Sequence, residues 1–87
     1  MAVTREIPER ETLECEFKSD LKRLPDSELI DTVVALSNTN GGTIYLGVED
    51  DGTPTGVHKD HSDVTRLAAL IANRTIPPVP ARVAPLR

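Results

Sequence analysis

Carboxylates are the residues of this sequence with the clearest chemical potential, and they fall into two short groups. The groups are Glu11, Glu14 and Glu16, then Glu49, Asp50 and Asp51. Each group lies at one end of a segment with strand-like alternation, so neighbouring strands would bring the groups together. Carboxylate oxygens are the ligands that Mg²⁺ and Mn²⁺ prefer. A solvated strand face and a turn explain the same residues, and spacing alone favours this plainer interpretation.

Three other candidate sites also have plainer explanations. His58 and His61 form an H-x-x-H pair, which needs a third ligand to hold a metal, and capping positions explain both. Cys15 alternates with apolar neighbours and is predicted to be a small core residue. The Gly-containing loop at residues 38–43 follows a helix, whereas phosphate loops lead into one. No P-loop motif occurs, so the chain contains no ATP site of that kind.

Positive charge is concentrated late in the chain. The net charge is −4, which taken alone argues against a nucleic-acid binder. Residues 1–31 hold nine acids and five bases, whereas residues 64–87 hold no acid and four arginines. These are Arg66, Arg74, Arg82 and Arg87. A folded domain can present such segments as separate faces, so a basic phosphate-binding face remains compatible with the acidic total.

The first half of the chain reads as strand, helix, strand. Alternation predicts a half-buried strand over Thr12 to Lys18. Asp26 or Ser27 is predicted to cap a helix that runs to about Asn38. Gly41 and Gly42 end that helix, because glycine readily takes the left-handed backbone conformation, and at least one of them should have a positive φ. The strongest strand signal follows over Thr43 to Asp50.

The second half begins with a hairpin. Asp51 and Gly52 are predicted to form a two-residue turn, followed by a return strand over Thr53 to Val57. A capping region at residues 60–63 precedes a second amphipathic helix that ends near Arg74. Residues 81–86 could begin another strand.

The order of elements predicts an α+β (mixed α/β) fold. We expect a sheet of about four strands with two helices on one face, in the order strand-helix-strand-strand-helix-strand. Residues 1–10 are predicted to be an N-terminal arm, and residues 11–87 the domain.

The longest uncharged run is too polar to span a bilayer, and no secretory signal is evident. The single cysteine is typical of a reducing compartment, so we expect a cytoplasmic protein.

Three motifs then resemble one family, the Schlafen AlbA_2 domain. Residues 11–18, E-T-L-E-C-E-F-K, are similar to its E-x4-E-F-K opening. Residues 33–44 look like its helix running into an N-t-x-G-G turn, and residues 47–57 resemble its G-v-x-D-d-G…G-v hairpin. Ile71 and the segment at residues 76–78 fit the second helix and its exit.

The resemblance implies a nucleic-acid-binding module, with DNA preferred to RNA, from a bacterial transcriptional regulator or RecG-related helicase-like protein. Lys18, Arg66, Arg74 and Arg82 would contact phosphates. The resemblance also implies an alternative, a nuclease dependent on Mg²⁺ or Mn²⁺. Its three carboxylates map onto Glu11, Glu16 and Asp50, with Glu49 competing for the third position.

Two further expectations concern geometry and assembly. Glu11 and Glu16 are five residues apart and would face opposite sides of a regular strand, so a shared site requires a bend between Glu11 and Leu13. The resemblance implies that the domain is truncated at its C-terminal end and belongs to a longer parent chain. An unpaired final strand would then favour a homodimer, which keeps a third function class open, a protein-interaction or dimerisation module.

Overall fold

The chain folds into two helices and a small parallel sheet. A computed structural model describes residues 11–12 and 14–84. The elements, in chain order, are strand β1 (Cys15–Lys18), helix α1 (Asp26–Ser37), strand β2 (Thr43–Leu46), a 3₁₀ turn (Lys59–His61) and helix α2 (Val64–Arg74). β1 and β2 pair in parallel, with Cys15 opposite Thr43. The mixed α/β class is therefore confirmed, while the predicted arm at residues 1–10 lies outside the described residues.

Both helices lie where the sequence predicts them, but their N-termini are capped differently. α1 has Pro25 at its N-cap and no capping hydrogen bond from a side chain, so the predicted cap at Asp26 or Ser27 is wrong. Asp26 is instead the first helical residue, and its carboxylate bonds elsewhere. α2 is capped by Asp63, whose carboxylate accepts hydrogen bonds from two backbone amides of the first turn. This cap falls in the predicted capping region.

Three buried apolar clusters hold the elements together. They are Cys15, Phe17 and Val48; then Leu24, Leu29 and Leu67; then Ile30, Val33 and Ile71. Ile44 of β2 packs against the second and third clusters, which contain residues of both helices. The core is therefore aliphatic apart from Phe17 and Tyr45, whose rings meet edge to face at 6.0 Å.

The first strand is shorter than predicted because the chain doubles back before it. Thr12 and Cys15 exchange two backbone hydrogen bonds, of 3.0 and 3.3 Å, in an isolated antiparallel bridge. The regular strand therefore begins at Cys15 rather than Thr12. This tight turn is the kind of bend that the carboxylate spacing requires, and it falls within residues 12–15.

The predicted hairpin forms, but its return strand is reduced to a single bridge between Val48 and Pro54. After this bridge the Thr55 and Gly56 amides both donate to the Gly47 carbonyl, and no described backbone hydrogen bond continues the ladder past Gly56. The turn holds three residues rather than two, because the Glu49 amide bonds to the Thr53 carbonyl. Gly52 supplies the left-handed position at φ +88°, as three-residue hairpin loops require. The Asp51 carboxylate also accepts from the Thr53 amide at 2.9 Å.

The sheet thus has two described strands rather than about four. Residues 81–84 form no strand, and residues 85–87 lie outside the described part. The three prolines at residues 77, 78 and 80 leave the segment just before residues 81–84 with few backbone donors.

The Gly41-Gly42 turn is confirmed, with a φ of +82° at Gly41. Within the described residues, no helix has the length and apolar character needed to cross a membrane.

Candidate nucleic-acid interface and its neighbouring carboxylates

The late arginines lie exposed on and after α2. Arg66 and Arg74 belong to the helix, and Arg82 lies in the irregular segment beyond it. Two helical residues eight positions apart are separated by about 80° around the axis, so Arg66 and Arg74 point toward the same side of α2. No acidic residue occurs between Val64 and Ala84. The predicted cation-only segment therefore presents three exposed arginines, with no acidic residue along the same stretch of chain.

The ion pairs of the molecule involve other cations. Among the described residues, the pairs join Arg23, His58 and His61 to Asp20, Asp26 and Asp60. Within that part of the chain, no carboxylate lies within ion-pair distance of Lys18, Arg66, Arg74 or Arg82. Phosphate binding by these four side chains would not require any such pair to break.

Lys18 is the last residue of β1 and lies beside an open pocket of about 500 Å³. Lys22 also lines this pocket, as does Asp50, one of the three predicted carboxylates. Phe17 and Leu24 provide apolar parts of its wall. Sequence reasoning missed Lys22, because nothing in the pattern shows that the connector after β1 brings it back beside Lys18.

Glu11 has a structural contact that its motif did not predict. Its carboxylate oxygen Oε1 accepts a hydrogen bond from the Phe17 amide at 2.8 Å. The tight turn after Glu11 makes this contact possible, because it places the residue beside the strand rather than in line with it. Glu11 therefore occupies an edge of β1 and satisfies a backbone donor there.

Glu16 and Glu11 both lie close to the thiol of Cys15. Burial raises the pKa of Cys15, and the negative charges of Glu11 and Glu16 raise it further. Glu16 adjoins Cys15 in β1, whereas Glu11 reaches the strand through its hydrogen bond to the Phe17 amide. Cys15 itself is 8% exposed, which confirms its predicted place in the core.

The third carboxylate does not complete a cation site in this conformation. Asp50 lines the lysine pocket, whereas the Glu49 carboxylate accepts a hydrogen bond from the Thr55 hydroxyl at 2.6 Å. Across residues 11–12 and 14–84, no three or more His, Cys, Asp or Glu side chains converge as a metal ion requires. The arrangement of donors therefore does not fit a three-carboxylate Mg²⁺ or Mn²⁺ site as it stands.

The most buried polar group is Asp20, in the connector between β1 and α1. Its residue is 1% exposed, and its carboxylate accepts hydrogen bonds from the Leu24 and His58 amides, both at 2.7 Å. Nδ1 of His61 lies 2.9 and 3.0 Å from the two carboxylate oxygens. Asp20 thus ties the connector to the 3₁₀ turn, 41 residues later in the chain.

His61 lies between two carboxylates. Its other ring nitrogen, Nε2, is 3.2 Å from Oδ1 of Asp26, which also accepts a hydrogen bond from Arg23 at 2.8 Å. An ionised carboxylate only accepts hydrogen bonds, so a ring nitrogen that carries a proton donates to the carboxylate it faces. His58 has the simpler role of N-cap, accepting from the Asp60 amide. The predicted capping role is confirmed for His58, but His61 is a buried bridge.

The pKa values of both aspartates are lowered by this network. Burial opposes ionisation of Asp20, but the Leu24 and His58 amides and His61 outweigh it and lower the pKa of Asp20. The hydrogen bond from His61, with Arg23 beside it, lowers the pKa of Asp26. A folded-state pKa below the unfolded value of about 3.9 contributes stability above that pH, and this stability is lost as the pH falls through the folded pKa.

We therefore expect the free energy of unfolding to fall below about pH 4, since that is where the unfolded-state carboxylates begin to take up protons. Asp26→Asn cannot titrate at this position, so its stability should depend less steeply on pH between about 2 and 4. Urea unfolding at a series of pH values measures both. Asp31→Asn, at an exposed position of α1, is the control. An equally steep dependence in Asp26→Asn and the unmodified chain would contradict the expectation.

Comparison with known protein families assigns the chain to one of them. The model of the family described as Schlafen, AlbA_2 matches residues 11–87. The chain belongs to the Schlafen AlbA_2 family. The match begins at Glu11 and includes β1, both helices and the arginine segment of this AlbA_2 domain. Neither the search of curated proteins nor the search of solved structures found a match to the chain.

Proposed function

We propose that this AlbA_2 domain is a nucleic-acid-binding module that contacts phosphates through Arg66, Arg74 and Arg82. The observation that carries the proposal is the acid-free stretch from Val64 to Ala84, whose three arginines are exposed and pair with no described carboxylate. A polyphosphate releases condensed counterions when cationic side chains neutralise it, which favours binding without base contacts. The acidic net charge is located mainly in other segments of the chain.

Lys18 extends the proposed contact surface to a second region. Lys18 and Lys22 together line one open pocket, so two ammonium groups could approach the same phosphate. Asp50 and Glu28 also line this pocket and reduce its positive charge. We therefore expect it to contribute less to phosphate binding than the arginines do. The chain has two aromatic residues, too few for a platform that stacks successive bases, so duplex DNA is the favoured ligand over single-stranded RNA.

A binding titration in EDTA tests this proposal. Fluorescence anisotropy with labelled duplex DNA, single-stranded DNA and structured RNA, at low salt, should show binding with the duplex DNA bound most tightly. Binding should persist in EDTA, because arginine–phosphate contacts need no divalent cation. No binding to any of the three nucleic acids at about 50 mM salt would contradict the proposal.

The family resemblance supports a more specific setting. We propose that the module is part of a bacterial transcriptional regulator or RecG-related helicase-like protein of the cytoplasm, in which it holds a larger chain on DNA. In this setting the ATP site lies in another part of the parent protein. The domain need only position its chain on DNA.

The second candidate function is that of a metal-dependent nuclease. It rests on the resemblance of Glu11, Glu16 and Asp50 to the carboxylates of the family's nuclease members, and on the place of Asp50 in a pocket lined by Lys18 and Lys22. Cleavage of RNA or DNA in Mn²⁺ that is lost in EDTA and in Glu16→Gln would replace the first proposal with this one. Glu14→Gln, at an exposed neighbouring position, is the matched control. Binding without cleavage in Mn²⁺ would exclude the nuclease.

A further inference from the structure

The outer edge of β2 lies inside a groove rather than on the open surface. All four residues of β2 line a cavity of about 1060 Å³, which is open to the outside. Residues of α1, of α2 and of the segment 79–84 line the same cavity, so the chain itself builds walls around the edge. A second folded sheet cannot reach a recessed edge of this kind, whereas a single extended chain can.

The backbone groups of this edge have no partner. The Gly47 amide donates to the Lys18 carbonyl of β1 at 2.7 Å. Because hydrogen-bond directions alternate along a strand, the amides and carbonyls of Ile44 and Leu46 point away from β1. No backbone group of another described residue pairs with them. Unpaired backbone groups beside apolar walls cost free energy, and a ligand with backbone donors and acceptors at the spacing of a strand would satisfy them.

The walls of the groove select the side chains of such a ligand. Ile44 and Leu46 pack against an apolar cluster that includes residues of both helices. Two of these, Leu29 of α1 and Leu67 of α2, also line the groove. A strand added beside β2 places every second side chain on this same face, because side chains alternate along a strand. Those side chains would lie against aliphatic groups, so we expect them to be apolar.

The charge of the groove is that of one arginine. Among the described residues that line it, Arg82 alone carries a permanent charge, and none is acidic. His61, the other lining residue that can become cationic, is held by the carboxylates of Asp20 and Asp26. No described carboxylate lies within ion-pair distance of Arg82. An acidic side chain of the ligand would therefore meet a cation without any internal pair being broken.

We propose that the groove binds an extended segment of a partner protein as a third strand beside β2, with apolar side chains at alternate positions and an acidic side chain within reach of Arg82. Strand addition takes its affinity from main-chain hydrogen bonds and its specificity from pockets for alternate side chains. A fatty acid would also suit aliphatic walls and an arginine, but it would leave the backbone groups of Ile44 and Leu46 unpaired. Arg66 and Arg74 do not line the groove, so the site does not depend on nucleic-acid binding.

Synthetic peptides test the site without nucleic acid. In fluorescence anisotropy, labelled S-V-E-V-S-V should bind the full chain about tenfold more tightly than S-E-S-V-V-V, because one of the three valines of the rearranged peptide falls on the wrong face. A form of S-V-E-V-S-V methylated on its backbone nitrogens cannot donate to the edge and should bind no better than the rearranged peptide. Equal binding of the first two peptides, or no binding of either up to about 1 mM, would overturn the proposal.

A pair of charge variants tests the part played by Arg82. The unmodified chain should bind S-V-E-V-S-V about two to five times more tightly than S-V-K-V-S-V, as expected for an exposed ion pair. Arg82→Glu should reverse this preference. Lys59→Glu makes the same change of charge at an exposed position outside the groove lining, and it should keep the preference for the acidic peptide. An Arg82→Glu protein that still prefers the acidic peptide would overturn the proposal.

Hydrogen exchange of the unmodified chain locates the bound peptide. With S-V-E-V-S-V at about ten times its Kd, amide exchange at Ile44 and Leu46 should slow about tenfold, because only the unbound fraction exchanges freely. The Tyr45 amide faces β1 with or without the peptide, so its exchange serves as the internal control. Unchanged exchange at Ile44 and Leu46 in the presence of bound peptide would show that the peptide lies elsewhere and would overturn the proposal.

Discussion

Asp20→Ala should lower the free energy of unfolding by about 3 to 5 kcal/mol at pH 7, because each buried donor left without its acceptor costs about 1 to 3 kcal/mol. Removing the carboxylate leaves His61, 3% exposed, without its closest acceptor. The amides of Leu24 and His58 also lose their partner. A domain of this size has a stability of about 5 to 10 kcal/mol, so the variant should be partly unfolded at 37 °C.

Urea unfolding of two further variants makes this expectation specific. Asp20→Asn keeps the shape and one acceptor oxygen, so its loss of stability should be smaller than that of Asp20→Ala. Asp31→Ala removes a carboxylate from an exposed position of α1 and should change stability by less than about 0.5 kcal/mol. Equal stability of Asp20→Ala and Asp31→Ala would show that the buried bridge contributes little.

Gly47→Ala should cost about 3 kcal/mol, for two reasons that add. Gly47 has a φ of +85°, where a side chain costs about 1 kcal/mol. A Cβ there would also lie 2.6 Å from the backbone carbon and oxygen of Gly56, and overpacking of this kind costs about 1 to 3 kcal/mol. The approach is this close because the Thr55 and Gly56 amides both donate to the Gly47 carbonyl.

Gly56→Ala distinguishes the conformational cost of a positive φ from the steric cost of the close approach. Gly56 has a nearly equal φ of +90°, but a Cβ there would meet no atom within 4 Å. Its replacement should therefore cost only the conformational part, about 1 kcal/mol. Urea unfolding of both variants measures the difference directly. If Gly47→Ala is no less stable than Gly56→Ala, the close approach of the two backbone segments is absent in solution.

Local patterns in the sequence predicted both helices and the start of β2. The strand ends at Leu46 rather than at the predicted Asp50, because Gly47 takes a left-handed φ of +85°. The apolar spacing of both helices is a short-range signal, and Asp63 lies directly before the residues whose amides it caps. The return strand was predicted from its position after a turn. Gly47 and Gly56, with φ values of +85° and +90°, instead interrupt the extended backbone and limit the pairing to one bridge, and this backbone effect outweighs the alternation of side chains.

The buried bridge could not be predicted, because its partners are far apart in sequence. Asp20 and His61 are separated by 41 residues, and neither lies in a motif that links it to the other. The only signal was that His61 follows a capping histidine, which suggested a second cap. Glu11 shows the same limitation: the sequence predicted a bend between Glu11 and Leu13, but no local pattern indicated the hydrogen bond with the Phe17 amide.

The salt dependence of DNA binding tests the proposed function most directly. In Arg66→Ala/Arg74→Ala/Arg82→Ala, the slope of log K against log salt should fall in magnitude by about 0.9 for each arginine that no longer neutralises a phosphate of duplex DNA, or by roughly 3 in total. The control carries the same change in net charge at exposed positions of and beside α1, as Ser27→Asp/Ala35→Glu/Thr39→Glu. It should weaken binding while keeping the slope. An unchanged slope in the arginine variant would contradict the assignment of this surface to nucleic acid.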